Sequence, residues 1–151
     1  MLSAKILFID DNPSDVEFFR LALKDQAVEE FNLDIISDGA QALEFIHNQR
    51  DSRVDARPWV VLLDLHLPKH DGIEILRTIR DRPALNHIAV VVLTGGASRR
   101  EEEEIRRLGA HWRPKPIQLS GFAELAAEVI AICKGLRSGG DSARKSSAAA
   151  S

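Results

Sequence analysis

Apolar residues reach this chain in short bursts, set between longer stretches where they recur every three or four positions. The bursts are Ala4-Lys-Ile-Leu-Phe-Ile9, Phe31-Asn-Leu-Asp-Ile-Ile36, Trp59-Val-Val-Leu-Leu63 and Ile88-Ala-Val-Val-Val-Leu93. Three of them are nearly continuous and β-branched, the pattern of strands covered by helices on both faces. The second alternates, with Phe31, Leu33 and Ile35 on one side, which suits a strand near one edge. His111-Trp-Arg-Pro114 is a weaker fifth strand. Its proline removes a ladder donor and assigns it to an edge.

The intervening stretches read as amphipathic helices. Asn12 as N-cap and Pro13 as first residue open a helix over 13–27 that buries Val16, Phe19 and Leu23. Asp38 caps a second over 39–48, with Ala42, Leu43 and Ile46 inward. Asp71 opens a third over 72–82, with Ile75, Leu76 and Ile79 inward and Pro83 after its end. A fourth covers 98–108 and stops at Gly109. The last covers 121–136 with the stripe Phe122, Leu125, Val129 and Ile132. Strand and helix alternate five times, which predicts an α/β fold with a doubly wound parallel sheet. The polar stretch 49–57 reads as an exposed loop, and 137–151, rich in Gly, Ser and Ala, as a flexible tail.

Composition narrows the class without naming an activity. The chain has 151 residues, a net charge of −3 and one cysteine. That length builds one globular domain. The slight acidity argues against direct nucleic-acid binding. A single cysteine excludes a disulfide framework and points to a reducing, cytoplasmic setting. No apolar run is long enough to span a membrane, and the acidic end of residues 1–10 does not suit a secretion signal.

The chemistry collects where the strands end. The first burst runs into Asp10-Asp11, the third into Asp64, the fourth into Thr94 and the fifth into Lys115-Pro116. In parallel α/β sheets, ligands bind beyond the carboxyl ends of the strands, so these residues converge on one crevice. Three carboxylates against one ammonium leave it negative. Such carboxylates repel one another unless a cation intervenes, and Mg²⁺ suits few carboxylates with several waters. One carboxylate can then act as nucleophile toward phosphorus, with Lys115 and Thr94 binding the phosphoryl oxygens.

Asp10-Asp11, Asp64 with Leu65-His66-Leu67-Pro68, Asp71-Gly72, Thr94-Gly95 and Lys115-Pro116 together closely resemble the receiver domain of bacterial two-component response regulators. The resemblance covers residues 3–136 and leaves no room for an output domain. It implies a flavodoxin-like (CheY-like) five-stranded parallel sheet of order 2-1-3-4-5 with helices on both faces. It also implies Asp64 as phosphoacceptor, with Mg²⁺ held by Asp11, Asp64 and the His66 backbone carbonyl while Asp10 assists through water. Lys115 contacts the phosphoryl group, and the Lys115–Pro116 peptide is expected to be cis. Asn12-Pro13 and the long loop before the third strand look most like the phytochrome-associated single-domain receivers. The implied partners are a sensor histidine kinase, a phytochrome among them, and a downstream or phosphotransfer protein. The family switch pairs Thr94 with an aromatic three residues before the lysine, here Trp112 where Tyr or Phe is commoner. Pro114 also departs from the usual apolar residue and is expected to shorten the fifth strand.

Plainer readings stand beside these. Trp112 can pack on an edge strand without switching, and His66 and His70, separated by Pro68, read as solvated loop residues. By the same resemblance, the position of His66 is one where side chains influence phosphoryl lifetime. Residues 99–107 read as a solvated helix face with Glu102–Arg106 and Glu103–Arg107 pairs. The alternative is a homodimer surface built from helix 4, strand 5 and helix 5. Cys133 reads as packing. Among other functions, a haloacid-dehalogenase-type phosphatase needs an Asp-x-Asp pattern that Asp10-Asp11-Asn12 lacks. A flavin module would not place two carboxylates in its phosphate loop. A phosphorylation-independent adaptor is disfavoured, because every reactive position is occupied.

Overall fold

The computed structural model describes residues 4–26, 30–49, 58 and 60–137. Five parallel strands form one sheet: β1 (Ala4–Ile9), β2 (Phe31–Ile36), β3 (Val60–Asp64), β4 (Ala89–Thr94) and β5 (His111–Pro114). Their spatial order is β2-β1-β3-β4-β5, so β2 and β5 are the two edges. The helices are α1 (Pro13–Gln26), α2 (Gly39–His47), α3 (Gly72–Asp81), α4 (Arg99–Arg107) and α5 (Leu119–Arg137). This is the doubly wound parallel sheet expected from the alternating pattern, in the flavodoxin-like strand order that the resemblance implies.

Side chains alternate across each strand, and the buried strands therefore feed two cores. Leu7, Ile9, Val61, Leu63, Val90 and Val92 face α2, α3 and α4, meeting Ala42, Ile46, Ile75, Leu76, Ile79 and Ile105. Ile6, Phe8, Val60, Leu62, Val91 and Leu93 face α1 and α5, meeting Val16, Phe19, Leu23, Phe122, Leu125 and Val129. Phe8 and Phe19 pack edge to face with centroids 5.4 Å apart. Leu43 and Ile132, both expected inward, are only partly buried.

The expected caps form. Asp38 accepts the amides of Ala40 and Gln41, and Asp71 accepts that of Ile73. Gly109, at φ 69°, ends the α4 segment in a backbone conformation that L side chains resist. Helix α5 starts two residues before its expected position, because the Gln118 carbonyl already accepts the amides of Gly121 and Phe122. It continues through Arg137, where the tail was expected to begin. Residues 138–151, Trp59, Ala27 and residues 50–57 of the polar loop lie outside the described residues.

One element is absent from the periodic pattern. His66–Leu67 and His70–Asp71 pair as an antiparallel hairpin of two residues a side. Pro68 and Lys69 make its turn, with Lys69 at φ 67° as the third position of a type II turn requires. The hairpin returns the chain to α3 beneath the end of β3. There the Gly72 amide donates to the Leu65 carbonyl at 2.9 Å. A Cβ on Gly72 would lie 2.6 Å from that carbonyl oxygen and 2.7 Å from the Leu65 Cα. Backbone cannot give way as a flexible side chain would. Gly72→Ala is therefore expected to destabilise the fold by about 1–3 kcal/mol. Urea unfolding checks this, with a lower midpoint and an unchanged slope as the expected result.

Candidate functional site

Strand register brings the chemistry together. Ile9 is level with Leu63 across the β1–β3 pair, so Asp10 and Asp64 leave the sheet side by side. Asp64 is level with Leu93, and Thr94 with Pro114, which sets Thr94 and Lys115 on the other flank. The Lys115 amide donates to the Thr94 carbonyl at 2.9 Å, extending the ladder by one bond past Pro114.

Two of the acids are deeply buried: Asp10 is 1% exposed and Asp64 4%. Asp11 is exposed at the mouth. Each of the three offers a carboxylate oxygen within 4.8 Å of the others. Local amides fix the buried pair. Asp10 Oδ1 accepts the Asn12 amide at 2.8 Å, and Asp64 Oδ1 accepts the His66 amide at 3.1 Å. The second oxygens face the lysine. Lys115 Nζ lies 2.9 Å from Asp64 Oδ2, to which it donates, and 3.4 Å from Asp10 Oδ2. It is also 3.0 Å from Asp15 Oδ2, a residue that sequence reasoning missed. Asp10 Oδ2 and Asp15 Oδ2 are buried and accept no aligned hydrogen bond.

These surroundings move two ionisations. Burial pushes the Asp10 carboxyl up to about 6, with the charges of Asp64 and Asp15 acting the same way and the Asn12 amide and Lys115 opposing it. Burial would lower Lys115, but its contacts with Asp64 and Asp15 and the nearby Asp10 outweigh that and hold its ammonium well above the ordinary lysine range.

Thr94, 1% exposed, does not reach toward Asp64. Its hydroxyl donates to the Gly96 carbonyl at 2.9 Å and accepts the Gly96 amide at 3.0 Å. His66 is a solvated residue whose Nδ1 is 3.5 Å from that hydroxyl and whose Nε2 is 3.5 Å from Glu101 at the start of α4. Trp112 is 37% exposed on the edge strand and lines a shallow groove with Glu102, Ile105, Arg106 and Ala110. Cys133 is buried, as a packing residue would be.

Two expectations are corrected. No peptide bond among the described residues is cis, so Lys115–Pro116 is trans. Trans is the lower-energy isomer of an X–Pro bond, and with it the Lys115 amide still completes the ladder while the ammonium still reaches Asp64. The ion pairs of α4 also differ from the expected ones. Glu104 carries them, to Arg77 at 2.9 Å and Arg107 at 2.7 Å, because it faces α3 across the interhelical seam.

Comparison with known proteins agrees with this geometry. Residues 6–122 match the family model described as the response regulator receiver domain. The chain belongs to the response regulator receiver domain family. Response regulator Rcp1 of Synechocystis sp. is 37% identical to this receiver over 106 residues, 70% of each chain. The phosphorylated cyanobacterial phytochrome response regulator RcpA superposes with a TM-score of 0.73 at 27% identity, covering 84% of this receiver and 91% of RcpA. The Mn²⁺-bound form of Rcp1 gives 0.72 at 30% identity, covering 83% and 91%. Among the described residues, no helix of the receiver is long and apolar enough to cross a membrane.

The raised Asp10 ionisation has a stability consequence of definite sign. Between pH 4 and 6 the unfolded chain has released this proton while the folded receiver keeps it, so folding loses stability as pH rises through that window. Asp10→Asn keeps an acceptor for the Asn12 amide and removes the buried charge. In metal-free buffer the variant is expected to gain over wild type as pH rises from 4 to 6 and to hold that gain above it. The full difference is on the order of a few kcal/mol. Urea unfolding of both proteins at pH 4.5, 6 and 8 measures it.

Proposed function

We propose that this receiver is a signalling switch that takes a phosphoryl group onto Asp64 from the phosphohistidine of a sensor histidine kinase. The observation that carries the reading is the Asp64 carboxylate, 4% exposed at a strand end, with the Lys115 ammonium 2.9 Å away and two more acids beside it. A nucleophile, a cation for the phosphoryl oxygens and a group of hard oxygen donors occupy one crevice. Positioning and charge neutralisation are what phosphoryl transfer mostly requires.

The donor set fits Mg²⁺. All the ligating atoms are oxygens, and Asp10 Oδ2 is buried with no aligned hydrogen-bond donor. Asp11, Asp64 and the His66 carbonyl would hold the ion, with Asp10 acting through water. When bound, Mg²⁺ supplies positive charge that offsets the carboxylates and the incoming phosphoryl oxygens. Mn²⁺-bound Rcp1 supports a divalent ion of this kind.

In the transfer, an Asp64 oxygen donates an electron pair to phosphorus as the bond from phosphorus to the donor's imidazole nitrogen breaks. The bonding pair returns to that nitrogen, which takes up a proton from solvent. The product is an acyl phosphate on Asp64. Lys115 meets one phosphoryl oxygen by charge, and Thr94 leaves Gly96 to donate its hydroxyl to another. That departure opens space behind Thr94 for Trp112 to turn inward from its groove. The new dianion supplies the free energy that biases the loop.

The output follows from protein contacts. We assign residues 3–136 to the receiver and place it in the cytoplasm, with a downstream or phosphotransfer protein as its target. A phytochrome-type kinase is the partner class that likeness to RcpA, a cyanobacterial phytochrome response regulator, supports. The edge strand β5, exposed along its length, with α4 and α5 beside it, is the surface proposed for homodimer contact.

Intact-mass measurement after incubation with acetyl phosphate and Mg²⁺ tests the assignment. Wild type is expected to gain one phosphoryl group, and to lose that gain in excess chelator. Asp64→Asn is expected to gain nothing. No gain in wild type, or an equal gain in the variant, overturns it.

A further inference from the structure

An acid at the third position of a helix ordinarily folds back onto the N-cap amide, or faces solvent near the positive end of the helix dipole. Helix α4 does the former: Glu101 accepts the Ser98 amide at 2.9 Å, and the Glu101 amide donates to Ser98 Oγ at 3.1 Å. Helix α1 starts differently. The Asn12 side chain accepts the Ser14 amide at 2.9 Å, while the Asn12 amide donates to Asp10 Oδ1 at 2.8 Å. The third residue of α1, Asp15, therefore takes no part in capping.

Its carboxylate turns inward instead. The side chain is 13% exposed and Oδ2 lies 3.0 Å from Lys115 Nζ, nearly as close as Asp64 Oδ2 at 2.9 Å. No hydrogen-bond donor is well aligned on that oxygen, so the contact is foremost an ion pair. One ammonium is thus shared among Asp64, Asp15 and, at 3.4 Å, Asp10.

We propose that Asp15 is a positioning residue, which holds the Lys115 ammonium to one side of Asp64 while phosphorus approaches. The inference rests on the phosphoryl-accepting role proposed for Asp64. The ammonium occupies space that an incoming phosphoryl group has to enter. Attack requires that the Asp64 oxygen be released from the lysine, and that the lysine stay close enough to meet the phosphoryl oxygens. A second carboxylate at the same distance serves both needs. Without it, the ammonium is drawn onto Asp64 and Asp10, tightening the pair that must open.

The test is a double-mutant cycle on the initial rate of phosphorylation by acetyl phosphate in Mg²⁺, read by intact mass. The four proteins are wild type, Asp15→Asn, Lys115→Ala and the double variant, with Asp15→Glu added. Asp15→Asn is expected to slow the reaction about tenfold, the scale of one lost contact to a charged group. In the Lys115→Ala background the same change is expected to alter the rate by less than about twofold. Asp15→Glu, which keeps the charge, is expected to recover most of the rate and serves as the decisive variant if Asp15→Asn folds poorly. Equal slowing in both backgrounds means that Asp15 acts through helix structure and overturns the proposal. So does a faster Asp15→Asn, which would show a carboxylate that only repels the donor, or an Asp15→Glu no better than Asp15→Asn. A wild type that gains no phosphoryl group overturns the role of Asp64 itself, and this inference with it.

Discussion

One ammonium among buried carboxylates is the constraint on which the site depends. Lys115 reaches Asp64, Asp15 and Asp10 at 2.9, 3.0 and 3.4 Å, and among the described residues no other cation pairs with those three acids. Asp10 and Asp64 are nearly sealed from water, where unpaired negative charge is costly. The lysine reduces that cost without removing it. Asp10, pushed up to about 6, shows what remains. The crevice thus favours further positive charge, and on the proposed function a cation that enters would prepare the same carboxylates to receive a phosphoryl group.

The fold makes this concentration of charge possible. Asp10 follows directly from β1 and Asp64 ends β3, two strands with neighbours on both sides, so their backbones are fixed by ladder hydrogen bonds and by the two cores. Lys115 comes from an edge strand with all four residues exposed, held to the sheet by β4 alone. Rigid acids and a lysine on a less buried element divide the work sensibly. On the proposed function, the nucleophile Asp64 stays in place, while the lysine that has to move is on the side with room to do so. Thr94 and Trp112 lie on that same side, and the output proposed for the receiver begins there.

Much of this was legible in the residues. The apolar bursts marked the strands within a residue or two, because a buried parallel strand needs apolar side chains on both faces. Asp38 and Asp71 marked helix starts, because a carboxylate before an apolar stripe has amides to accept. Asp10, Asp11, Asp64, Thr94 and Lys115 stood out through where each apolar burst stopped. What escaped notice depended on tertiary packing. Asp15 looks in sequence like any acid in a first helical turn; only the use of the Asn12 amide by Asp10 shows it to be free for Lys115. The hairpin of His66–Leu67 with His70–Asp71 is too short to have a period. Glu104, rather than Glu102 or Glu103, carries the α4 ion pairs because Arg77 of α3 happens to face it.

On the proposed function, Asp64 is the one of four neighbouring acids that bonds to phosphorus. Borohydride reduces an acyl phosphate to an alcohol, which leaves homoserine wherever an aspartate had been phosphorylated. Peptide mapping of the reduced chain, after incubation with acetyl phosphate and Mg²⁺, reads the position directly. Homoserine at position 64 alone is the result predicted. Homoserine at 10, 11 or 15, or at no position in a chain that has gained the phosphoryl mass, would contradict it.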